Sequence, residues 1–260
     1  MIVSQKTRSA EIVLQHIQPH QFSQVIRLHR AVFPPEQVAR TIYACKGIDR
    51  YLASLVAFPR LQREHVLIGA WKQKELIGYA HFRALADSWH LNNIAVHDAY
   101  QGQGVGSRLW HEFVESARGR KFRQVTLDVE SSNRSAVDWY QRKGLTTVAA
   151  VWRYEKVLSS SRELEEGERS PQLSGWDQAE AWQAVYGFSQ FQLHWEGRDW
   201  VIGRIGSSYF KTIGLLPAVV ESALCHIDPS RHLLIFSGKP LDNRAFIPLG
   251  KSLRMSGYLD

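Results

Sequence analysis

A strand, a glycine-rich loop and a helix follow one another in the stretch LNNIAVHDAYQGQGVGSRLW, residues 91–110. Three glycines, Gly102, Gly104 and Gly106, occupy alternate positions of the loop, directly before an amphipathic run. Glycine is a poor helix former, so glycines at a helix start indicate that the main chain approaches another group closely. The positive end of a helix favours a phosphate as that group. This stretch therefore predicts an α/β fold with a phosphate-binding loop.

Hydrophobic periodicity places further strands and helices on both sides of this loop. We expect a mixed, mostly antiparallel central sheet flanked by helices, with a smaller α/β domain towards the C-terminus. The predicted strands are EIVLQHIQ, HVLIGAW, ELIGYAHFRAL, WHLNNIAVH, QVTLDVE, TTVAAVWRYEKVL, FQLHW, DWVIGRI, YFKTIG, HLLIFS and SLRMSGYL. The predicted helices are HQFSQVIRLHRAVF, residues 36–58, SRLWHEFVESAR, RSAVDWYQRK, DQAEAWQAVYGF and LPAVVESALCHI.

The polar segment SSSRELEEGERSPQLS, residues 159–174, divides the chain. It contains almost no apolar residues and cannot bury enough surface to fold by itself, so it is predicted to be a linker. We expect one domain at residues 1–158 and a second at residues 175–260. The first domain carries a net charge of +9 and the second a net charge of zero. A small polyanion or a nucleic acid would suit the basic first domain.

Composition disfavours several other classes of protein. The chain has two cysteines, Cys45 and Cys225, far apart in sequence, which predicts a reducing, cytoplasmic location without a disulfide framework. The N-terminus lacks the apolar core of a signal peptide, and no run approaches the ~20 apolar residues of a membrane span. None of the eleven histidines falls into a metal-binding spacing. We therefore expect neither a membrane partner nor a metal, while the oligomeric state is unknown.

Three types of phosphate site can be compared with the glycine loop. A nucleotide P-loop requires a lysine after its glycines, and none is present here. A dinucleotide fingerprint has a third glycine where this chain has Ser107, although Asp128 or Glu130 could serve as its acidic residue. The preceding strand contains two asparagines, whereas a parallel strand of such a fold is usually an apolar run. The dinucleotide interpretation also leaves NRSAVDWYQRKG without a function.

Two motifs, in the correct order, resemble the signatures of the GNAT superfamily of acyl-CoA-dependent N-acyltransferases. In the loop, Gln101, Gly104 and Gly106 match the pattern Q/R-x-x-G-x-G/A. Further on, LDVESSNRSAVDWYQRKGL has a strand, an Asn, a helix that carries a Tyr, and a Gly followed by an apolar residue. The resemblance covers about residues 10–157. It implies an N-acetyltransferase that moves an acetyl group from acetyl-CoA to an amine by direct attack in a ternary complex.

The resemblance also implies which residues bind the coenzyme. Backbone N–H groups of the loop would surround the pyrophosphate, and the strand before the loop would pair with the pantetheine arm. Asn133 would hold the arm from the opposite wall, and it equally suits a helix N-cap. The predicted cofactor-binding residues are Ile94, Ala95, Val96, Gln101, Gly102, Gln103, Gly104, Val105, Gly106, Ser107, Asn133 and Tyr140.

Catalytic roles are implied for two residues. Tyr140 would donate a proton to the departing thiolate. Asp128 stands at the strand position where some members of the family carry a catalytic glutamate, and it could take the proton of the acceptor amine. Glu130 points to the same face of the strand. His81, His90 and His97 lie near the expected cleft, but a lone histidine is more often structural than catalytic.

Other functions remain open at the level of sequence. The loop could belong to a non-catalytic acyl-CoA sensor or scaffold, and the run ARGRKFR, residues 117–123, could contact nucleic acid, which is the less favoured interpretation. The order of elements in residues 175–260 resembles the first domain without its glycine loop. This predicts either a degenerate GNAT-like copy or an unrelated α/β module. Nothing in the sequence identifies the acceptor amine, which could belong to a small molecule or a protein.

Overall fold

The structure is a computed structural model in which residues 11–158 and 170–259 are described. The predicted linker, residues 159–174, lies mostly outside these ranges. The helices of the first half of the chain are α1 (Phe22–Val32), α2 (Pro35–Ala39), α3 (Ile48–Ala57), α4 (Pro59–Glu64), α5 (Val105–Gly119) and α6 (Arg134–Arg142). Its strands are β1 (Ile12–His16), β2 (His65–Lys72), β3 (Glu75–Ala84), β4 (Trp89–Val96), β5 (Gln124–Glu130) and β6 (Thr146–Val157).

The second half of the chain adds six strands and two helices to the described structure. The strands are β7 (Gln172–Ser174), β8 (Phe188–Trp195), β9 (Arg198–Ile205), β10 (Tyr209–Ile213), β11 (His232–Ser237) and β12 (Ile247–Tyr258). The helices are α7 (Trp176–Tyr186) and α8 (Ala218–Ile227). The predicted mixed α/β fold with a mostly antiparallel sheet is confirmed.

Contacts group the described residues into two compact units that interleave along the chain. The first unit comprises the described residues within 1–34, 52–125 and 259–260, and the second those within 35–51 and 126–258. The boundaries between the units therefore cut α3 and β5. The sequence-based division at residues 159–174 stays a prediction about independently folding domains.

In the first unit, four strands pair in chain order and all pairings are antiparallel, from β1 with β2 to β3 with β4. The buried rings of Phe82 on β3 and Phe113 on α5 lie 5.2 Å apart, and Trp110 packs on Phe113. The amphipathic face of α5 is therefore held against the sheet by aromatic contacts. This packing fixes where the helix begins, and hence where its glycine loop stands.

In the second unit, β8, β9 and β10 form an antiparallel meander, and β11 then lies parallel to β10. The helix α8 connects these two parallel strands. Its buried residues Val220 and Leu224 share a core with Phe210 and Ile235. The order meander, helix, strand repeats the order of β2–β4, α5 and β5 in the first half of the chain.

The last strand, β12, does not lie beside its sequence neighbour β11. It runs between β5 and β6, antiparallel to β6, while the other edge of β6 pairs with β11. The predicted strand SLRMSGYL is confirmed, but it begins earlier, at Ile247. A register shift beside Pro248 interrupts the pairing with β6, as expected for a proline in a paired strand, and a second shift lies between Arg254 and Met255.

The predicted helix over residues 36–58 is wrong as a single element. It is divided into α2 and α3 by a 3₁₀ turn at Ile42–Ala44. The side chain of Thr41 accepts a hydrogen bond from the backbone N–H of Tyr43 at 3.3 Å and caps that turn. Threonine competes with the helix in this way because its hydroxyl bonds nearby backbone groups. Gly47 then packs so closely on Val185 and Tyr186 that a Cβ atom would collide with their main chain.

Candidate functional site

The strand β4 leads into the glycine loop and carries a β-bulge. Residues His81 and Phe82 of β3 face Asn93 and Leu91, so Asn92 is the extra residue. A bulge bends its strand and increases the local twist. Beyond the bulge, the predicted pantetheine-binding residues Ile94, Ala95 and Val96 pair with β3, and the backbone N–H of His97 bonds to the carbonyl of Ile77 at 2.9 Å.

Two glycines of the loop have backbone conformations that favour glycine. The φ angles of Gly102 and Gly104 are +72° and +82°, and Gly104 is the N-cap of α5. A Cβ atom at either position would meet no atom within 4 Å, and at Gly106 the nearest atom is a methyl of Val96 at 3.9 Å. The main chain therefore borders open space, which a phosphate group could fill at the start of a 15-residue helix.

Side chains of the loop brace it against the end of β4. The side-chain nitrogen of Gln101 donates to the carbonyl of Val96 at 3.1 Å and to the carboxylate of Asp98 at 2.8 Å. The side-chain nitrogen of Gln103 donates to the carbonyl of Ala99 at 2.9 Å. The motif glutamine thus holds the loop in shape from within. An ordered loop loses less conformational entropy when it binds a ligand.

Histidines surround β4 but belong to different networks. His97 caps the short 3₁₀ turn after β4, where its ring accepts from the backbone N–H of Ala99 at 3.2 Å. His81 is buried and bonds to His65 at 3.0 Å and to Asn92 at 3.3 Å. Burial, followed by the positive charge of nearby groups such as Arg83, lowers the pKa of His81 to about 3. His90 is also buried. These contacts favour structural roles for His81 and His97.

The helix α6 carries Asn133 and Tyr140. The side-chain oxygen of Asn133 accepts from the backbone N–H of Ala136 at 3.1 Å, so the N-cap interpretation is confirmed. Tyr140 is only 6% exposed, and this burial raises the pKa of its phenol above the ordinary value near 10. The hydroxyl of Tyr140 therefore stays protonated at neutral pH. Both residues lie in the second unit, and their roles toward a coenzyme stay predictions.

Asp128 has a partner that the sequence does not reveal. Arg254 of β12 donates from Nε to Oδ1 at 2.6 Å and from Nη2 to Oδ2 at 2.8 Å. Glu130 also accepts two hydrogen bonds from one arginine, in this case from both terminal nitrogens of Arg153. The hydrogen bond to Asp128 raises the pKa of Arg254 further, against the opposing effect of burial. Because 126 residues separate the two, no local pattern could have identified Arg254.

The described ranges lack a metal-binding cluster and a membrane-spanning helix. No group of three or more His, Cys, Asp or Glu side chains in residues 11–158 and 170–259 could hold a metal ion. Across the same residues, every helix is too short or too polar to span a bilayer.

The antiparallel meander, the bulged β4 and the glycine loop that opens α5 together define an α/β domain of the N-acyltransferase fold type. Residues 27–145 match the acetyltransferase (GNAT) family. This match to a GNAT acetyltransferase domain covers 119 of the 260 residues. The N-alpha-acetyltransferase RimI of Mycobacterium tuberculosis is 34% identical over 94 residues, 35% of this chain and 58% of that relative.

A second relative and a solved structure extend the comparison. A putative ribosomal protein bS18-alanine N-acetyltransferase of Bacillus subtilis is 31% identical over 74 residues, 28% of this chain and 49% of the relative. The chain thus spans about half the length of each relative. A tandem GNAT protein from the clavulanic acid biosynthesis pathway is similar over 95% of this chain and 98% of its own, with a TM-score of 0.66 at 13% identity. At that identity the likeness shows the fold alone.

Proposed function

We propose that the protein is an N-acetyltransferase that moves an acetyl group from acetyl-CoA to an amine. The observation that carries this proposal is the loop before α5, where Gly102 and Gly104 have positive φ angles beside open space. A loop of this shape at a helix start presents several backbone N–H groups to an anion at once. The family match at residues 27–145 supports acyl-CoA as the source of that anion.

The coenzyme-binding roles follow from where the residues lie. Backbone N–H groups from Gly102 to Ser107 would bind the pyrophosphate, with Gln101 and Gln103 keeping the loop in shape. The pantetheine arm carries amides that can pair with the backbone of residues 94–96. Asn133 uses its oxygen for the helix cap, and its side-chain nitrogen is the donor that would bind the arm.

The proposed chemistry is a single step. The neutral amine attacks the thioester carbonyl, a C–N bond forms, the C–S bond breaks, and Tyr140 protonates the departing thiolate. With pKa values near 10 for a phenol and 8.5 for a thiol in water, this transfer is unfavourable unless water-poor surroundings also make the thiolate more basic. Asp128 is the proposed acceptor of the proton that the amine gives up. This pair of roles rests on the motif and on the burial of Tyr140.

For the acceptor, we propose the α-amine of a peptide as the first class to test. The two relatives named above are described as N-alpha-acetyltransferase and ribosomal protein alanine N-acetyltransferase. The matched segments cover only about a third of this chain, so a short peptide beginning with alanine is a probe rather than an assigned substrate.

The test combines binding with turnover. Isothermal titration should show binding of acetyl-CoA and much weaker binding of NADH or ATP, and alanine-initiated peptides should give thiol release. Tyr140→Phe keeps the ring, so acetyl-CoA binding should persist while kcat falls by ~10- to 100-fold. Tyr154→Phe is the matched control, because the hydroxyl of Tyr154 accepts from the backbone N–H of Leu241 in the second unit.

Three results would contradict the proposal in different ways. Preferred binding of NADH would favour a dinucleotide site. Binding of acetyl-CoA without thiol release from any amine in a broad library would indicate a non-catalytic sensor. Unchanged turnover in Tyr140→Phe would remove Tyr140 from the mechanism.

A further inference from the structure

The last strand of the chain lies against the strand that carries Asp128. β12 stands between β5 and β6, and the backbone N–H of Ser131, just after β5, donates to the carbonyl of Lys251 at 3.0 Å. On its other side, β12 pairs with β6 over most of its length, with Leu253 opposite Ala150. These backbone bonds set the register that brings Arg254 to Asp128.

The contact between Arg254 and Asp128 is bidentate, with both carboxylate oxygens engaged by one guanidinium group. Two parallel hydrogen bonds fix the plane of a carboxylate as well as its position. Both side chains are about one-third exposed, at 34% and 37%, so solvent screening limits what the ion pair adds to stability. We therefore expect the pair to matter more for the orientation of the Asp128 carboxylate than for the stability of the fold.

The neighbouring pair on β5 provides an internal comparison. Glu130 lies two residues after Asp128, on the same face of the strand, and Arg153 holds it in the same bidentate manner. Arg153 comes from β6, 23 residues away in sequence, whereas Arg254 comes from the second half of the chain. Two similar pairs thus differ in which half of the chain supplies the arginine.

We infer that Arg254 is a positioning residue for acetyl transfer, because it holds the carboxylate of Asp128 in the orientation in which Asp128 takes the proton of the acceptor amine. This inference rests on the proposed function. It gives the second half of the chain a part in turnover, although that half contributes no glycine loop of its own. A lysine keeps the charge but cannot form the planar fork.

The experiment is a double-mutant cycle on the full chain with an alanine-initiated hexapeptide and acetyl-CoA. Arg254→Ala should lower kcat by ~10-fold and leave the acetyl-CoA Kd unchanged, because a displaced catalytic group loses rate rather than coenzyme affinity. The kcat of Arg254→Lys should lie between the values of the unmodified chain and of Arg254→Ala. In an Asp128→Asn background, Arg254→Ala should lower kcat by less than ~2-fold, since the group that it positions is already gone.

Arg153→Lys, on the neighbouring pair, is the matched control and should keep kcat within ~2-fold. The same cycle is measured by urea unfolding, which reports the coupling of Arg254 and Asp128 without any turnover. Full additivity of the two kcat losses, or coupling in unfolding with none in kcat, would overturn the positioning role. Failure of the proposed function gives a different result, in which the unmodified chain releases no thiol while the unfolding cycle still shows the coupling.

Discussion

The loops after β4 and β10 occupy equivalent places in the order of elements, each between a meander and a helix. The first has two glycines with positive φ angles, and its main chain borders open space. The second has one such glycine, Gly214, whose backbone N–H bonds to the carbonyl of Phe236 at 2.8 Å. It then continues with two leucines and Pro217, which has no N–H to offer.

The helices that follow the two loops also differ in how well their first turns suit an anion. The first turn of α5 contains no acidic residue, whereas the first turn of α8 contains Glu221, which forms an ion pair with Lys156. A carboxylate already complements the positive end of α8 and repels a phosphate. From this comparison we expect that the order of elements alone does not make a phosphate site. Backbone donors with access to an anion are also required, and the proposed coenzyme site therefore belongs to the loop before α5.

The largest effect should come from Gly104→Val. Valine is strained at a φ of +82° and would fill the open space beside the main chain. Each effect is worth about 1–3 kcal/mol, so the acetyl-CoA Kd should rise by at least ~10-fold in isothermal titration. Circular dichroism should show that the chain still folds.

Gly214→Val is the matched control, since Gly214 has a φ of +81° and equally open surroundings. The substitution should strain the backbone by a similar amount while the acetyl-CoA Kd stays within ~2-fold. Equal losses of affinity in the two variants would erase the distinction between the loops.

The second effect is on the pH dependence of stability, which should differ between the two units because they contain different titrating groups. In the first unit, burial followed by the charge of Arg30 lowers the pKa of His29 to about 3, and His81 is lowered to about 3 as described above. The unfolded chain takes up protons on these groups below pH ~6.5 while the folded chain does not, so stability falls as pH falls from 6.5 towards 3. Between pH 7 and 5, His29 and His81 together should account for a loss of up to ~4 kcal/mol.

In the second unit, burial raises the pKa of Glu155, but hydrogen bonds from His232 and Arg40 outweigh it and lower the pKa below the ordinary value of 4.5. Its contribution to stability is present above pH ~4.5 and is lost only in more acidic solution.

Urea unfolding at a series of pH values tests this difference between the two units. His81→Gln should flatten the loss between pH 7 and 5, with His20→Gln as an exposed control; an unchanged slope in His81→Gln would contradict this account.

The smallest effect should come from two glutamines, one in each half of the chain, whose side chains hydrogen-bond to nearby backbone carbonyls. Gln101→Ala removes two hydrogen bonds from the loop and should weaken acetyl-CoA binding by ~3- to 10-fold through lost preorganisation. Gln183 in the second unit bonds to the carbonyls of Gly187 and Gly206. Gln183→Ala should leave the affinity unchanged and lower the unfolding free energy by about 1–3 kcal/mol. A loss of affinity in Gln183→Ala, or none in Gln101→Ala, would contradict the assignment.

Local chemistry explains what could be predicted from the sequence. The strand, loop and helix of residues 89–119 were predicted because periodicity and glycine placement act over a few residues. The cap at Asn133 followed from the same kind of signal. The break at Thr41 was missed because apolar residues continue through it, and only the hydroxyl and the close packing of Gly47 interrupt the helix.

Long-range pairing could not be predicted in this way. The position of β12 between β5 and β6 depends on which sheet edges remain unpaired, a property of the whole fold rather than of its residues. The partner of Asp128 follows from that pairing. The roles proposed for Tyr140 and Asp128 therefore come from a sequence motif, whereas no motif indicates Arg254, the arginine proposed to orient Asp128.

The position of β12 also determines when the sheet can form completely during synthesis of the chain. At about 5–20 residues per second, the 126 residues between Asp128 and Arg254 take roughly 6–25 s to translate. Once β6 has been synthesised, β5 and β6 lack the strand that separates them in the finished sheet for the rest of that interval, and unpaired strand edges invite association with other chains. We therefore expect a nascent chain of this protein to expose these edges until β12 leaves the ribosome. Premature termination before residue 247 would release a chain that cannot close its sheet.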